Sequence, residues 1–461
     1  MPVVTFLPRQ DLSRLMKTCR ALHAVALREL LRDPVELRAD NILSFYACIQ
    51  GGVDFQRALY LRELVVSCSL SRPRYLSHNH TERGDCEQTA TLLACILQNA
   101  HQLKRLKLDW AAAGYSHYLR GASSMLSNLE ELTVPFVSQG LLDDLAHLCA
   151  PLRRISAQFG AMHGSSVVDP LPLLERFRTT LEDIDLSGVQ FCDGSTQYPA
   201  VHRLSLADCY SEFLLGGIDI APLCQSFPNI SELSFSAARV HPEAMQWLDG
   251  RNCDKPELIE RCRRANKHWQ AQHGGWNDLK RVSVGHVVDL YMLGLEQRVP
   301  HVEIAMLSEG TLRMVQDVLN DTLPSSLSMS LFALDRVLDC IPHLFSPGDS
   351  TRNLSRFTLT LRCTKPAINI NKVIDNVSTL LAPLRVEHLV VRLQRWDTVG
   401  MYFLGVDDLR PIDTSLVQLH GRAESIARDF ARGIPALRTV TLIIGREVVE
   451  RQFLVDDDSR S

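Results

Sequence analysis

Leu181-Glu182-Asp183-Ile184-Asp185-Leu186 and, twenty residues further on, Val201-His202-Arg203-Leu204-Ser205-Leu206 follow one pattern. An aliphatic residue is followed by two polar ones, and then apolar and polar residues alternate. Alternation with a period of two marks a strand that buries one face and exposes the other. The pattern recurs outward from this pair in both directions. Towards the N-terminus it reads LRELVV from Leu61, LKRLKL from Leu103, LEELTV from Leu129 and LRRISA from Leu152. Towards the C-terminus it reads ISELSF from Ile230, LKRVSV from Leu279 and VPHVEI from Val299. Weaker copies start at Ser326, Leu354, Val386 and Leu437, and VELRAD at Val35 is a further candidate.

Most of these starts lie 20 to 32 residues apart, with gaps of 42, 49 and 51 residues after Leu61, Ile230 and Val386. A period near 20–29 residues is that of leucine-rich repeats. Helix-forming stretches lie between the motifs, for example from Cys86 and from Leu416. Pro151, Pro228, Pro383 and Pro435 precede strands, where proline stops a helix and favours extended chain. The fold expected is therefore an α/β leucine-rich-repeat solenoid, with a parallel concave sheet and helices on the convex side. Its expected limits are residues 35–445. Insertions are expected near 69–100, 240–278 and 393–435.

The third position of each motif points to the solvent side of its strand. In the first eight copies it holds Glu63, Arg105, Glu131, Arg154, Asp183, Arg203, Glu232 and Arg281, alternating in sign without exception. Random signs would alternate in roughly one case in a hundred, and opposite charges on neighbouring strands attract. The ladder therefore argues that these strands are adjacent and that the 42- and 49-residue gaps hold insertions, not missing strands. It serves either to hold the strands together or to present a charged concave surface to a partner.

Composition narrows the function. The formal net charge of -4 over 461 residues argues against a dedicated nucleic-acid binder. No apolar run reaches the roughly 20 residues that span a bilayer, and MPVVTFLPRQDLSRL has no secretory pattern. The expectation is a cytoplasmic or nuclear protein with no membrane partner. The 13 cysteines include no C-x-x-C pair. Cys95, Cys149 and Cys363 read as small buried apolar residues.

No phosphate loop, dinucleotide fingerprint, H-E-x-x-H or G-x-S-x-G motif is present. The run from His78 to Cys86 lacks the second paired element of a zinc site and reads as a polar loop. Cys253, Cys262, His268 and His273 have no recognised ligand spacing, and Cys262 falls on an apolar helical stripe with Leu258, Ile259, Ala265 and Trp269. The basic run Arg261–His268 on that helix reads as a solvated face. Trp396, Met401, Tyr402, Phe403 and Leu404 lie in the last long gap, where they either anchor a partner or pack under the sheet. The segment 446–461, with Asp456, Asp457 and Asp458, reads as an acidic tail without regular structure. A protein-binding role is expected, with no enzyme activity, no cofactor and no metal.

Residues 8–33 carry an apolar stripe of Leu12, Leu15, Cys19, Leu22, Ala26 and Leu30. Two short helices are expected, the first capped by Asp11, followed by a strand at Val35-Glu36-Leu37. The run Leu7-Pro8, Asp11-Leu12, Leu15, Thr18-Cys19-Arg20-Ala21-Leu22, Ala26-Leu27, Leu30-Leu31 and Val35-Glu36-Leu37 resembles the second half of an F-box. It is most similar to fungal (basidiomycete-type) F-box-like proteins that continue into degenerate leucine-rich repeats. That family opens with a helix of the type L-P-x-E-L-L, and this chain starts after it, so the resemblance implies a truncated F-box-like cap over residues 1–34. It also implies docking on the adaptor subunit of a cullin–RING (SCF-type) ubiquitin ligase, with the repeats holding a protein substrate. Leu7, Pro8, Leu12, Leu15, Met16, Cys19 and Leu22 would then form the adaptor surface or its support. The alternative is a stand-alone repeat scaffold that no longer binds the adaptor, residues 8–33 serving only to cap the first repeat.

Overall fold

The computed structural model describes residues 7–38, 40–51, 53–67, 80–108, 121–122, 125–137, 145, 147–159, 169–191, 194–207, 219–236, 256–307, 311–332, 344–345, 351, 353–363, 370–382, 384–395, 414–444 and 451–454. The chain divides into two compact units, one of residues 1–205 and 225–228, the other of residues 206–224 and 229–461.

The first unit opens with α1 (Arg9–Leu15) and α2 (Arg20–Arg32), then β1 (Val35–Leu37), α3 (Ile42–Gln50) and a 3-10 turn (Val53–Tyr60). There follow β2 (Glu63–Val66), α4 (His80–Asn99), β3 (Arg105–Leu108), β4 (Glu131–Val137), β5 (Arg154–Phe159), α5 (Leu171–Leu174), β6 (Asp183–Ser187) and β7 (Arg203–Ala207, of which Leu206 and Ala207 lie in the second unit). Each strand lies beside the next in sequence, and the pairs are parallel. The motif sets the register. Glu63 stands opposite Arg105, Arg105 opposite Glu131, Glu131 opposite Arg154, and Arg154 opposite Asp183.

The reason lies in three buried columns. The first, fourth and sixth motif positions of one copy are Leu181, Ile184 and Leu186, all fully buried, and Leu61, Leu64 and Val66 are the same. Moving any strand by one residue would send its aliphatic side chains to water. At the strand entries the backbone adds a second constraint. The carbonyl of Lys104 accepts from the N–H groups of both Glu130 and Glu131, at 2.8 and 2.9 Å, and that of Glu130 accepts from Arg153 and Arg154, at 2.8 and 3.0 Å.

The second unit contains α6 (Ile220–Ser226, of which Gln225 and Ser226 lie in the first), β8 (Glu232–Ser236), α7 (Pro256–His273), β9 (Arg281–His286), α8 (Val287–Leu293), β10 (His301–Leu307), α9 (Leu312–Thr322) and β11 (Ser326–Phe332). It continues with β12 (Arg356–Cys363), α10 (Ile370–Leu381), β13 (His388–Arg395), α11 (Thr414–Gly433), β14 (Thr439–Ile444) and β15 (Arg451–Leu454). The strands again pair in sequence order and in parallel up to β14, while β15 runs antiparallel to β14. Both units are thus α/β, with parallel strands in chain order.

Each long gap holds a helix. Glu63 pairs directly with Arg105 across the 42-residue gap, whose described part is α4. Glu232 pairs with Arg281 across α7, and His388 with Thr439 across α11. The run from His78 to Cys86 therefore enters a helix at His80, with His78 and Asn79 outside the described residues.

Three readings of the sequence are corrected. In the Ser326 copy, Leu327 and not Met329 stands opposite Val302, so that motif starts two residues earlier, at Pro324, which is buried. A shift of two keeps the same residues inward, so the pattern alone could not detect it. Likewise Val35 stands opposite Leu64, which makes it a fourth position and not a first. The tail expected to lack regular structure forms β15 at residues 451–454, where the open edge of β14 offers unpaired backbone groups.

The cap also differs in detail. α1 begins at Arg9 with Pro8 as its N-cap, because proline lacks the N–H that a first turn leaves unpaired. Asp11 therefore sits inside the first turn, pairing with Arg14 at 3.2 Å, and does not cap the helix. On α2 the buried line is Ala26, Leu27 and Leu31, while Cys19 is the exposed N-cap.

Phe357 is fully buried in the fourth column of the second unit, against Phe345 at 5.9 Å between ring centres. Phe357→Ala should cost about 3–5 kcal/mol of stability, read from the denaturation midpoint. A loss below about 1 kcal/mol would mean that this column is not closely packed.

Candidate functional site

The polar face of the sheet follows from the motif. Position three leaves each strand on the side opposite the buried columns, so Glu63, Arg105, Glu131, Arg154, Asp183 and Arg203 line up across the strands of the first unit. Arg105 pairs with Glu63 at 3.0 Å, Arg154 with Glu131 at 3.3 Å and with Asp183 at 3.9 Å, and Arg203 with Asp183 at 3.0 Å. In the second unit Arg281 stands opposite Glu232, and its guanidinium pairs with Glu303 at 2.9 Å. Glu303 is a fifth-position residue of β10 that the sign pattern did not single out. These arginines are about half exposed, so each pair contributes at most about 1 kcal/mol.

A second row lies one residue earlier. Lys104 pairs with Glu130 at 2.6 Å, and the Nε of Arg153 donates to Glu182 at 2.9 Å. Arg438 pairs with Glu387 at 3.6 Å at the far end of the second unit. The signal for this row was present at position two of the same motifs.

The helix α7 carries a different kind of polar site. The basic run read as a solvated face is divided between solvent and core. Arg261, Arg264 and His268 are exposed, but Arg263 and Asn266 are buried and Lys267 is half-buried. Arg263 donates to the carbonyl of Tyr291 at 2.9 Å, Asn266 to that of Met292 at 2.8 Å, and Gln270 to those of Leu293 and Gly294 at 3.2 and 3.0 Å. These are the carbonyls at the C-terminal end of α8, of which that of Tyr291 also accepts the N–H of the C-cap Gly294 at 3.2 Å. The polar residues 263, 266, 267 and 270 recur at helical spacing and form the stripe that faces α8. The apolar stripe expected on α7 holds only in part, since Cys262 is buried but Ala265 is exposed.

Charge completes this contact. Arg263 and Lys267 both reach Asp321 of α9, at 2.5 and 2.7 Å. The Arg263 guanidinium also lies over the Tyr291 ring, 4.1 Å from its centre. Burial, together with a 2.6 Å hydrogen bond to Glu260, pushes the Tyr291 hydroxyl up to about 12. Gly294 closes α8 at φ 56, and a Cβ there would lie 3.2 Å from the Arg263 carbonyl oxygen.

The residues assigned to the adaptor surface by resemblance are divided too. Leu12 is a core residue of the cap, buried against Ala26, with Leu7, Leu15 and Met16 packed around it. Leu22 is half-buried, and Pro8 and Cys19 are exposed. Among the described residues no group of three or more His, Cys, Asp or Glu is placed to hold a metal. Cys253 lies outside the described residues, and His273 stacks on Trp269 at 4.9 Å. Cys149, read as buried, is exposed, because Leu148 takes the inward position beside it. Cys95 is half-buried, and the side chain of Cys363 lies outside the described residues. Trp396, Met401, Tyr402, Phe403 and Leu404 also lie outside them. No described helix is long and apolar enough to cross a membrane.

No protein-family model matches the chain, and no curated protein matches it significantly. The class of protein is therefore given by the architecture alone: an α/β chain of parallel strands in sequence order, with a charged exposed face.

The two polar sites should respond differently to mutation. Arg154→Ala, on the exposed face, should change stability by less than about 1 kcal/mol. Arg263→Ala should cost about 3 kcal/mol, since it leaves the largely buried Asp321 with only Lys267 and removes the side-chain donor to the Tyr291 carbonyl. Urea denaturation of both variants measures this, and equal costs would contradict the assignment.

Proposed function

We propose that this chain is a protein-interaction module of the leucine-rich-repeat type, acting as the substrate receptor of an SCF-type cullin–RING ubiquitin ligase. It performs no chemistry itself. The cap α1–α2 docks on the adaptor subunit, and the exposed face of the strands binds the target protein. Holding the target beside a charged ubiquitin-conjugating enzyme raises its effective concentration there. The observation that carries this reading is the succession of parallel strands, each built from the same motif and each presenting its polar positions on one face. Such a surface suits recognition of a large partner, and the resemblance of residues 7–37 to the second half of an F-box supplies the ligase connection.

One observation favours a second reading. Leu12 and the residues packed around it spend their apolar surface inside the cap. A helical pair with this packing also suffices to shield the first strand of a stand-alone binding protein.

The exposed Cys19 separates the two readings. It is the N-cap of α2, where Asp is a preferred residue, so Cys19→Asp should leave the cap intact or stabilise it by about 0.5–1 kcal/mol. The same change places a charge in an apolar docking surface. Wild-type chain should capture the purified adaptor, and Cys19→Asp should lose that capture with its melting temperature unchanged or raised. Failure of the wild-type chain to bind would leave the stand-alone reading.

A further inference from the structure

The balance of charge on the exposed face ends at β10. From β2 to β10 each of Arg105, Arg154, Arg203 and Arg281 has a carboxylate on a neighbouring strand within 3.3 Å. From β11 to β14 the outward register positions hold hydroxyl, apolar, amide or basic residues, with no Asp or Glu among them. Arg356 and Arg362 stand on β12, and His388 and Arg392 on β13. Arg356 and Arg392 are exposed, and neither has an ion-pair partner among the described residues.

The register gives the spacing. Arg356 stands opposite His388, and Thr360 opposite Arg392, so Arg392 lies one strand across and four residues further along than Arg356. At about 3.3 Å per residue along a strand and about 4.8 Å between strands, Arg356 and Arg392 are about 14 Å apart at their backbones. The floor beside them is made of Ser328, Ser330, Thr358 and Thr360, short side chains that admit a close approach and can donate hydrogen bonds. Alternate side chains of an extended peptide repeat at about 7 Å, so two such steps match the arginine spacing.

We propose that the outward face of β12 and β13 binds an acidic, extended segment of a partner protein, whose carboxylates are received by the exposed Arg356 and Arg392. This names the kind of target taken by the binding face proposed above. It rests on that half of the reading and not on the adaptor half. Carboxylates fit because arginine presents a planar fork of donors to them, and because the outward positions of β11 to β14 carry no acid to repel them, while Glu387 at the entry of β13 is paired with Arg438.

The test uses the full chain and a fluorescein-labelled peptide of alternating Glu and Ser, followed by fluorescence anisotropy. The wild-type chain should bind it at low ionic strength and release it as salt is raised. The Arg356→Gln, Arg392→Gln double variant should bind at least about tenfold more weakly, as expected for loss of two charge-assisted contacts. An Arg105→Gln, Arg154→Gln double variant, changed equally in charge but in the balanced ladder, should bind as the wild type does. Thermal unfolding of both variants controls for folding, and the Gln side chains keep the bulk of these surface positions. No binding by the wild type, or equal weakening by both double variants, would overturn the proposal. So would tighter binding of single-stranded DNA of the same charge, which would mark the face as a nucleic-acid surface. Adaptor capture plays no part in this measurement, so it can fail or succeed independently of the cap.

Discussion

One backbone carbonyl per repeat organises the sheet. At the entry to each strand, the carbonyl of the second motif residue accepts two N–H groups from the next strand. Glu387 does this for Arg438 and Thr439 at 2.8 and 3.0 Å, as Lys104 does for Glu130 and Glu131. This doubled bond fixes where each strand begins against its neighbour, and the alternation of side chains then fixes everything downstream. Pro300 shows the rule by exception. It has no N–H, so only His301 donates to the Lys280 carbonyl, at 3.0 Å, and the register is kept by the single bond and the buried Val302.

With the register fixed, the two faces of the sheet divide the work. The inward columns exclude water, and the helices between strands cover them. The outward positions are released from packing and can hold charge. Where charges alternate they neutralise one another, and like charges never meet across a strand pair in the ladder. Where they do not alternate, from β11 onward, the face keeps a net positive character. The exposed face therefore differs along its length in what it offers a partner, although the backbone beneath it is the same.

The helical layer shows how a polar stripe can be structural. Helix ends that stop inside a protein need partners for their last carbonyls, and the C-terminal end of α8 finds them on α7. Arg263, Asn266 and Gln270 donate to four consecutive carbonyls, and Asp321 balances the charge they bring in. An insertion in the repeat pattern thus becomes an additional packed helix. The cap shows the same economy at smaller scale, since Leu12 and Ala26 close a core of only two fully buried residues.

The strands and their order were legible in the sequence because they depend on short-range alternation and on opposite charges at equal motif positions. Both are local patterns that the backbone converts directly into a parallel register, so Glu63 and Arg105 could be paired across 42 residues. Only the tertiary structure decided matters of two kinds. Shifts by an even number of residues, as at Leu327, leave the inward set unchanged and so leave no mark in the pattern. The roles of individual side chains, as for the buried Arg263 on α7 or Leu12 in the core of the cap, depend on which neighbouring element packs against them. That is set by packing between elements, and no local period encodes it.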